Sequence, residues 1–553
     1  MRSGTRGVRA FLVLIALATG GCGEFERLHL AARMGDTDAQ LALAEAYATG
    51  SGVRSSPDDA VRWYQEAAKE RPGEAGRALA ELYLEGEIVE HDPKRALRWL
   101  ETAAEAGDAD EQLALALRIE AAKDLDPDPK RALQWLERAA ENGSVEAMRR
   151  VGMAHLEGRG TLRDFGAAAT WFRRAADLGD ADAQNRLGLL YTNDYGPARD
   201  LEQAVLWFRK AAEQENADAM LNLAALSAQG LGTEPDPTGA FAWTLRAAET
   251  GSASGQIRVA VLYETGEGVA SDLAEARRWY VAAAENGSGE AAFVLVQRLE
   301  DGTFEERQRG ELVRWLRAAA SSGESDAQYA LGLRHAKGDG VPQDSRQAFY
   351  WIREAATRGH EEAQVHVARL YEVGRGTEPD VGAAAKWYQR AAEQGNIDGL
   401  AGYSLALLSG VGVERDPLRA IPMVRRAAEA GQRDAQYALG LRYLDGGDGV
   451  EPNVAEAVRW IRSAAERGLA LAQARMGLWT AQGASGLSRD LPRALAWFTL
   501  AAEGGDAISV MHRDRLVRDL DSGARARAVR HEAELRERIA TTNTDPEAPA
   551  ESS

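Results

Sequence analysis

Carboxylates are the most abundant ionisable groups in this sequence, with 85 Asp and Glu against 66 Lys and Arg, eight His and one Cys in 553 residues. Two carboxylates can divide acid and base work on a glycosidic bond, but only at a fixed separation in space, and no spacing along this chain singles out such a pair. The histidines (29, 91, 155, 335, 360, 366, 512 and 531) include no H-x-x-x-H pair. Packed or capped imidazoles are expected there, and no metal site. None of the seven lysines has a Ser three residues earlier, and no G-x-S-x-G elbow occurs, so no serine nucleophile is visible. The Gly-x-Gly pairs lack a third Gly three residues on and follow no strand pattern, so turns are expected and not phosphate loops. No catalytic residue and no cofactor are assigned.

Cys22 is the one residue whose position prescribes covalent chemistry. Arg2, Arg6 and Arg9 precede the apolar run from Phe11 to Ala18, and Thr19, Gly20 and Gly21 lead into Cys22. This is the charged, apolar, small-residue order of a secretory signal, and the run is too short to span a bilayer. Its end resembles the lipobox of bacterial lipoproteins. The resemblance implies cleavage after residue 21 and diacylation of the Cys22 sulfur. It also implies a lipoprotein facing the periplasm, tethered in the outer membrane in preference to the inner, because Gly23 is not the Asp that favours inner-membrane retention. Several acyl chains at ~0.8 kcal/mol per buried methylene anchor a protein where one would only dwell. A lone cysteine forms no intramolecular disulfide.

The elements that would position any site follow from one period. Trp63, Trp99, Trp135, Trp171, Trp207, Trp243, Trp279, Trp315, Trp351 and Trp387 recur every 36 residues, and Met423, Trp460 and Trp497 continue the series. Paired alanines follow four and five residues after each, as Ala103-Ala104 or Ala391-Ala392, which marks one helical face. Seven residues before each stands Asp, Asn or Ser, from Ser56 to Asp490, with Gln308 the exception. These are expected N-caps, and the Pro that follows at 57, 93, 129, 237 and 417 suits a first helical turn. Gly stands eight residues after the Trp position in eleven of thirteen units, Gly107 and Gly359 among them, and predicts a left-handed helix stop. A second helix per unit is read from Ala183, Leu187, Gly188 and Tyr191 or their equivalents. The unit is a helical hairpin, thirteen in tandem.

A pattern of A-x-x-x-L-G-x-L-Y, a Gly-x-Gly loop and D-x-x-x-A-x-x-W-x-x-x-A-A resembles the Sel1-like repeats, relatives of the tetratricopeptide repeats, over about residues 24 to 520. The resemblance implies an all-α, right-handed α-solenoid. The expected order is a signal peptide at 1–21, an anchor with an N-terminal half-repeat cap at 22–35, and the repeats at 36–510. Capping helices at 511–540 and a disordered tail at 541–553 complete it.

Stacked hairpins present surface, and their expected use is to hold proteins, as a helix or an extended peptide, along a concave wall built by the first helices. Phe293, Tyr329, Leu333, Val365, Arg369, Tyr437 and Leu441 are the candidate wall residues, with packing against the neighbouring hairpin as the competing role. Pro422 inside a helix, directly before the Met423 that replaces Trp, predicts a kink. With Gly399 and Gly402 thinning the preceding helix, residues 396 to 425 are expected to be a bend or a docking site. The acidic balance, a formal charge of -19, argues against nucleic acid as a partner. A membrane-tethered, non-catalytic scaffold is the expected function. Lipidated repeat scaffolds of exopolysaccharide export, alginate among them, are the nearest analogy by architecture, with polysaccharide as a further candidate ligand. An envelope enzyme acting on peptidoglycan or glycan, or its activator, is the alternative from another class.

Overall fold

The computed structural model describes residues 22–107, 109–121, 128–193, 198–305 and 310–544. The expected signal segment 1–21, the cap position Gln308 and residues 545–553 of the expected tail lie outside the described residues. Among those described, every regular element is an α-helix, and the one bridge pair, Gly447 with Val450, is isolated in a loop. The chain divides into two units, Met1–Trp279 and Tyr280–Ser553.

In the first unit a helix at Cys22–Arg33 lays Ala32 against the first hairpin, Thr37–Thr49 and Pro57–Ala67. Hairpins of the same plan follow, for instance Ala181–Tyr191 with Leu201–Glu213. The second unit contains Gly289–Glu300 with Glu311–Ser322 and runs on to Ala470–Gln482 with Leu491–Glu503. It closes on Ala507–Asp519 and Ser522–Thr544.

The local causes are those the sequence implies. Asp92, Asp128, Asp164 and Asp200 each accept a hydrogen bond from the backbone N–H three residues on, at 2.9 to 3.0 Å. Where Gln308 breaks the series, the helix Glu311–Ser322 starts behind Gly310 with no side-chain cap. The expected left-handed stops form at Gly143, Gly179 and Gly359, whose φ values lie between 97° and 99°. Gly107 is the exception, since its φ of -91° is extended backbone.

Packing follows the period too. Trp63, Trp135, Trp207, Trp279, Trp315, Trp460 and Trp497 are buried, while Trp99, Trp171, Trp243, Trp351 and Trp387 are half-buried under their neighbours. In several units the residue after the Trp goes deeper. Phe172 and Phe208 are fully buried, each lying on a glycine of the preceding helix, Gly152 and Gly188, where a Cβ would meet the ring at 2.7 and 2.6 Å. Burying each such ring contributes ~1.5–3 kcal/mol.

The closing elements differ from the expected boundaries. Asp506 accepts from the Ser509 N–H at 2.7 Å, so the first closing helix begins at Ala507 and not at 511. The second continues through Thr544, four residues into the expected tail. It is polar overall, yet Ala524, Ala528 and Leu535 are buried, and Arg536 pairs with Glu503 at 2.7 Å, which holds it on the last hairpin.

Candidate functional site

In the second unit the first helices Glu361–Val373 and Ile397–Ser409 leave a cleft of about 630 Å³ between them, floored by the second helix Val381–Glu393. One stripe of Ile397–Ser409 lines it from end to end: Asp398, Ala401, Gly402, Leu405, Ala406 and Ser409, at the three- and four-residue spacing of one helical face. Arg369, Glu372 and Val373 form the opposite wall, Ala384, Ala385 and Tyr388 the floor. By comparison, a cavity beside Ile119 and Leu133 in the first unit has only about 110 Å³.

The repeat plan explains why the cleft is open here. The position fifteen residues after the Trp carries Arg150, Arg186, Asn222, Arg258, His366 and Arg475 in six other repeats, and smaller side chains such as Ala78, Val294 and Ala438 elsewhere; among the repeats only Gly402 has none. Arg150 illustrates the filled version, its Nε donating to Glu146 at 3.0 Å one turn back. At Gly402 the acid of that pair is kept, as Asp398, and the cation is gone. The ring of Tyr388 lies against Gly402, where a Cβ would meet it at 2.5 Å. Gly399, one turn earlier, closes the same helix onto Ala391.

The electrostatics are one-sided. Glu372, Asp398 and Asp434 stand against a single guanidinium, Arg369, which donates to Asp398 at 3.1 Å. Glu372 accepts the Tyr388 hydroxyl proton at 2.9 Å, and Asp434 accepts from the Gln432 amide at 3.0 Å. Burial, reinforced by the Glu372 charge, pushes the Tyr388 phenol well above its ordinary range, so it remains a neutral donor. The far end is apolar and wet: Val373, Val381 and Val411 are 70%, 45% and 53% exposed around one rim. Two of them stand where several other repeats are polar. Val373 replaces Glu85, Glu157, Gln229 or Lys337, and Val411 replaces Glu87, Arg159, Glu267 or Arg375. No group of three metal-ligating side chains occurs among the described residues.

Of the residues singled out from sequence, the cleft gathers Arg369 and Gly402, with Gly399 supporting them. Val365 is not wall surface: it is 4% exposed, packed in the core of the neighbouring hairpins, so the packing role wins at that position. Phe293 and Leu333 are half-buried on their own helices. Tyr329 is half-buried too, its ring 4.5 Å from His360 and its hydroxyl 3.4 Å from His366 Nδ1. Tyr437 and Leu441 pack partly against the last core cluster. Pro422 is exposed, and the helix Pro417–Glu429 runs through it without interruption, with Met423 filling the Trp position half-buried. The Cys22 backbone opens the first helix.

Sequence reading missed Glu372, Tyr388, Asp398, Asp434 and the valine rim. For Gly402 and the valine rim the signal was present as departures from the repeat consensus, which become visible only once the units are aligned by position, whereas Asp398 and Asp434 keep the acid that most repeats carry there.

The Sel1 repeat family model matches residues 37–71, 74–108, 112–144, 145–180, 181–216, 217–252, 253–288, 325–360, 361–396, 398–432, 433–469 and 470–506. The stretch it passes over, 289–324, holds the hairpin with the uncapped helix. Among solved structures, a protective antigen of uropathogenic Escherichia coli displaying an SLR fold is 26% identical. The match covers 89% of this chain and 98% of that one, at a TM-score of 0.43. A Sel1 repeat protein from Oxalobacter formigenes is also 26% identical over 70% of this chain and 91% of its own, at a TM-score of 0.34. No curated protein sequence matches the chain.

Proposed function

This chain belongs to the Sel1 repeat family, and from that premise we propose that it is a non-catalytic scaffold, tethered in the bacterial envelope through Cys22, that holds protein partners along its first helices. Repeats of this family generally serve protein–protein contact. The observation that carries the reading is the cleft beside Gly402, an apolar-floored groove with three exposed valines on its rim and a polar pole at its other end. Exposed apolar surface gathered at a concavity is what a partner would cover.

The tether is supported by the amino-terminal order of arginines, apolar run, small residues and Cys22. No helix among the described residues is long and apolar enough to cross a membrane, so a membrane address would rest on the acyl chains. Tethering raises the effective concentration of the groove for any partner at the same surface. The acid excess of the cleft is the wrong sign for an acidic glycan, which favours protein over alginate-like polymer as the ligand.

Two measurements test this. Cys22→Ser is expected to move the protein from the membrane fraction to the soluble fraction; retention in the membrane would remove the anchor. Photo-crosslinking residues placed at Leu333 and Leu405 are expected to form discrete protein adducts in cells, and one at the exposed Leu418 of a second helix is not. Equal or absent adducts at all three would remove the scaffold reading.

A further inference from the structure

The cleft beside Gly402 has a repeat-specific gap that defines what would fill it. In the repeat of Arg150 the groove position is taken by a guanidinium that bonds the acid one turn back. In the repeat of Gly402 the acid Asp398 remains, a second acid, Asp434, faces the same space from the next hairpin, and Glu372 lines the opposite wall. Arg369 reaches Asp398, and between the two acids stands only the neutral Gln432 amide, which donates to Asp434 at 3.0 Å and to Asp398 at 3.4 Å and which an incoming cation would displace. The groove is thus built for one more positive charge than the chain supplies.

The second half of the site is apolar. Leu405, Ala406 and the exposed Val373, Val381 and Val411 surround the end of the stripe away from Asp398. From Asp398 to Ser409 the helix rises ~16 Å, which an extended chain covers in about five residues.

We propose that this cleft is the docking groove for an extended peptide segment of a partner protein, in which a lysine or arginine enters between Asp398 and Asp434 and an aliphatic side chain about four or five residues away rests on the Val373–Val381–Val411 rim. The proposal rests on the protein-binding reading above and names the partner's chemistry. The buried Tyr388 hydroxyl, donated to Glu372, keeps that carboxylate turned along the wall. Desolvation by the apolar floor makes the charge pair count for more than it would on an open surface.

The test uses the full chain purified in detergent. Panning a displayed library of random seven-residue peptides is expected to enrich sequences with Lys or Arg four or five residues from Leu, Ile or Val. A synthetic peptide of that consensus, followed by fluorescence anisotropy, is expected to bind more weakly as salt rises, and more than tenfold more weakly to Asp434→Arg. Gly402→Arg, which restores the cation in place, is expected to abolish binding. Because a side chain there meets Tyr388, Leu405→Glu serves as a second block that leaves the floor intact. Asp218→Arg, at the equivalent of Asp434 in the first unit, is expected to bind as the parent does. Enriched peptides without a basic residue, binding indifferent to Asp434→Arg and Leu405→Glu, or displacement by an oligouronate would overturn the proposal. So would a library that yields nothing. Protein adducts from Leu333 alongside such a failure would leave the scaffold intact and the cleft without its assigned role.

Discussion

The groove beside Arg150 and the groove beside Gly402 are the same place in two copies of one hairpin, and they differ in a way that separates structural repetition from specific use. In the first, Arg150 pairs with Glu146 and lies within 3.6 Å of Glu120, so the surface is self-satisfied. In the second, the side chain is deleted, polar rim residues become valines, and about 630 Å³ is left open. The helices beneath are alike in length and in their caps: Ser144 and Asn396 both accept from a backbone N–H three residues on. What varies is confined to positions that hold nothing together, as expected where surface is free to specialise on a fixed stack.

The sharpest way to break that comparison is to truncate one residue from each class. Phe208 is fully buried between helices, and Phe208→Ala is expected to cost ~3–5 kcal/mol through lost burial and the cavity it leaves. Leu405 lines the open cleft, half-buried, and Leu405→Ala is expected to cost under ~1 kcal/mol. Local opening read by amide hydrogen exchange across each hairpin distinguishes the two. Comparable losses would mean that the cleft wall is structural packing.

A third occupant of the same position sharpens the contrast by pH. His366 lies against Tyr329 and is depressed below its ordinary 6.5 by burial first, then by the charges of Arg369 and Arg375. Its folded value is the lower one, so the unfolded chain takes up the proton first as pH falls. The stability that neutral His366 contributes is complete above about 6.5 and is lost as pH drops through the folded value. Thermal unfolding of the parent is therefore expected to fall more steeply than that of His366→Gln across that window, with the two curves parallel above it. Parallel curves throughout would show that the imidazole is not strained by its site.

Much of the fold could be read from residue types, because caps, paired alanines and tryptophans act locally and recur. Asp92 caps its helix for the same reason in any context. What could not be read is what depends on the neighbouring hairpin. Gln112, Gln184, Gln364 and Gln436 each donate to an alanine carbonyl eight residues earlier, closing the end of one helix against the next. A glutamine in a helix looks like solvent-facing filler until that carbonyl is in place. The cleft was half legible: Gly399 and Gly402 stood out as thin, but a missing side chain does not say which acids and aliphatics will border the gap. Val365 shows the converse, since of its two candidate roles it takes packing: a helix of the inner layer is apolar on the faces it turns to both neighbours.

The smallest effect concerns a position where the repeat rule is broken outright. Eight residues after Trp207 the chain has Glu215 where most units place Gly, yet its φ is 65°, in the same left-handed region as Gly179 at 98° and Gly251 at 89°. A Cβ in that region crowds the following carbonyl, at a cost of roughly 1 kcal/mol. Glycine relieves it but adds freedom to the unfolded chain, which returns part of the gain. Glu215 is exposed, so little side-chain contact is forfeited. Glu215→Gly is therefore expected to stabilise the Leu201–Glu213 hairpin by a few tenths to ~1 kcal/mol, read as slower amide exchange in that helix and the one after it. A loss of the same size would mean that the carboxylate contributes to the turn in a way its backbone angle does not reveal, and that the departures from consensus in the first unit are as functional as those that open the second.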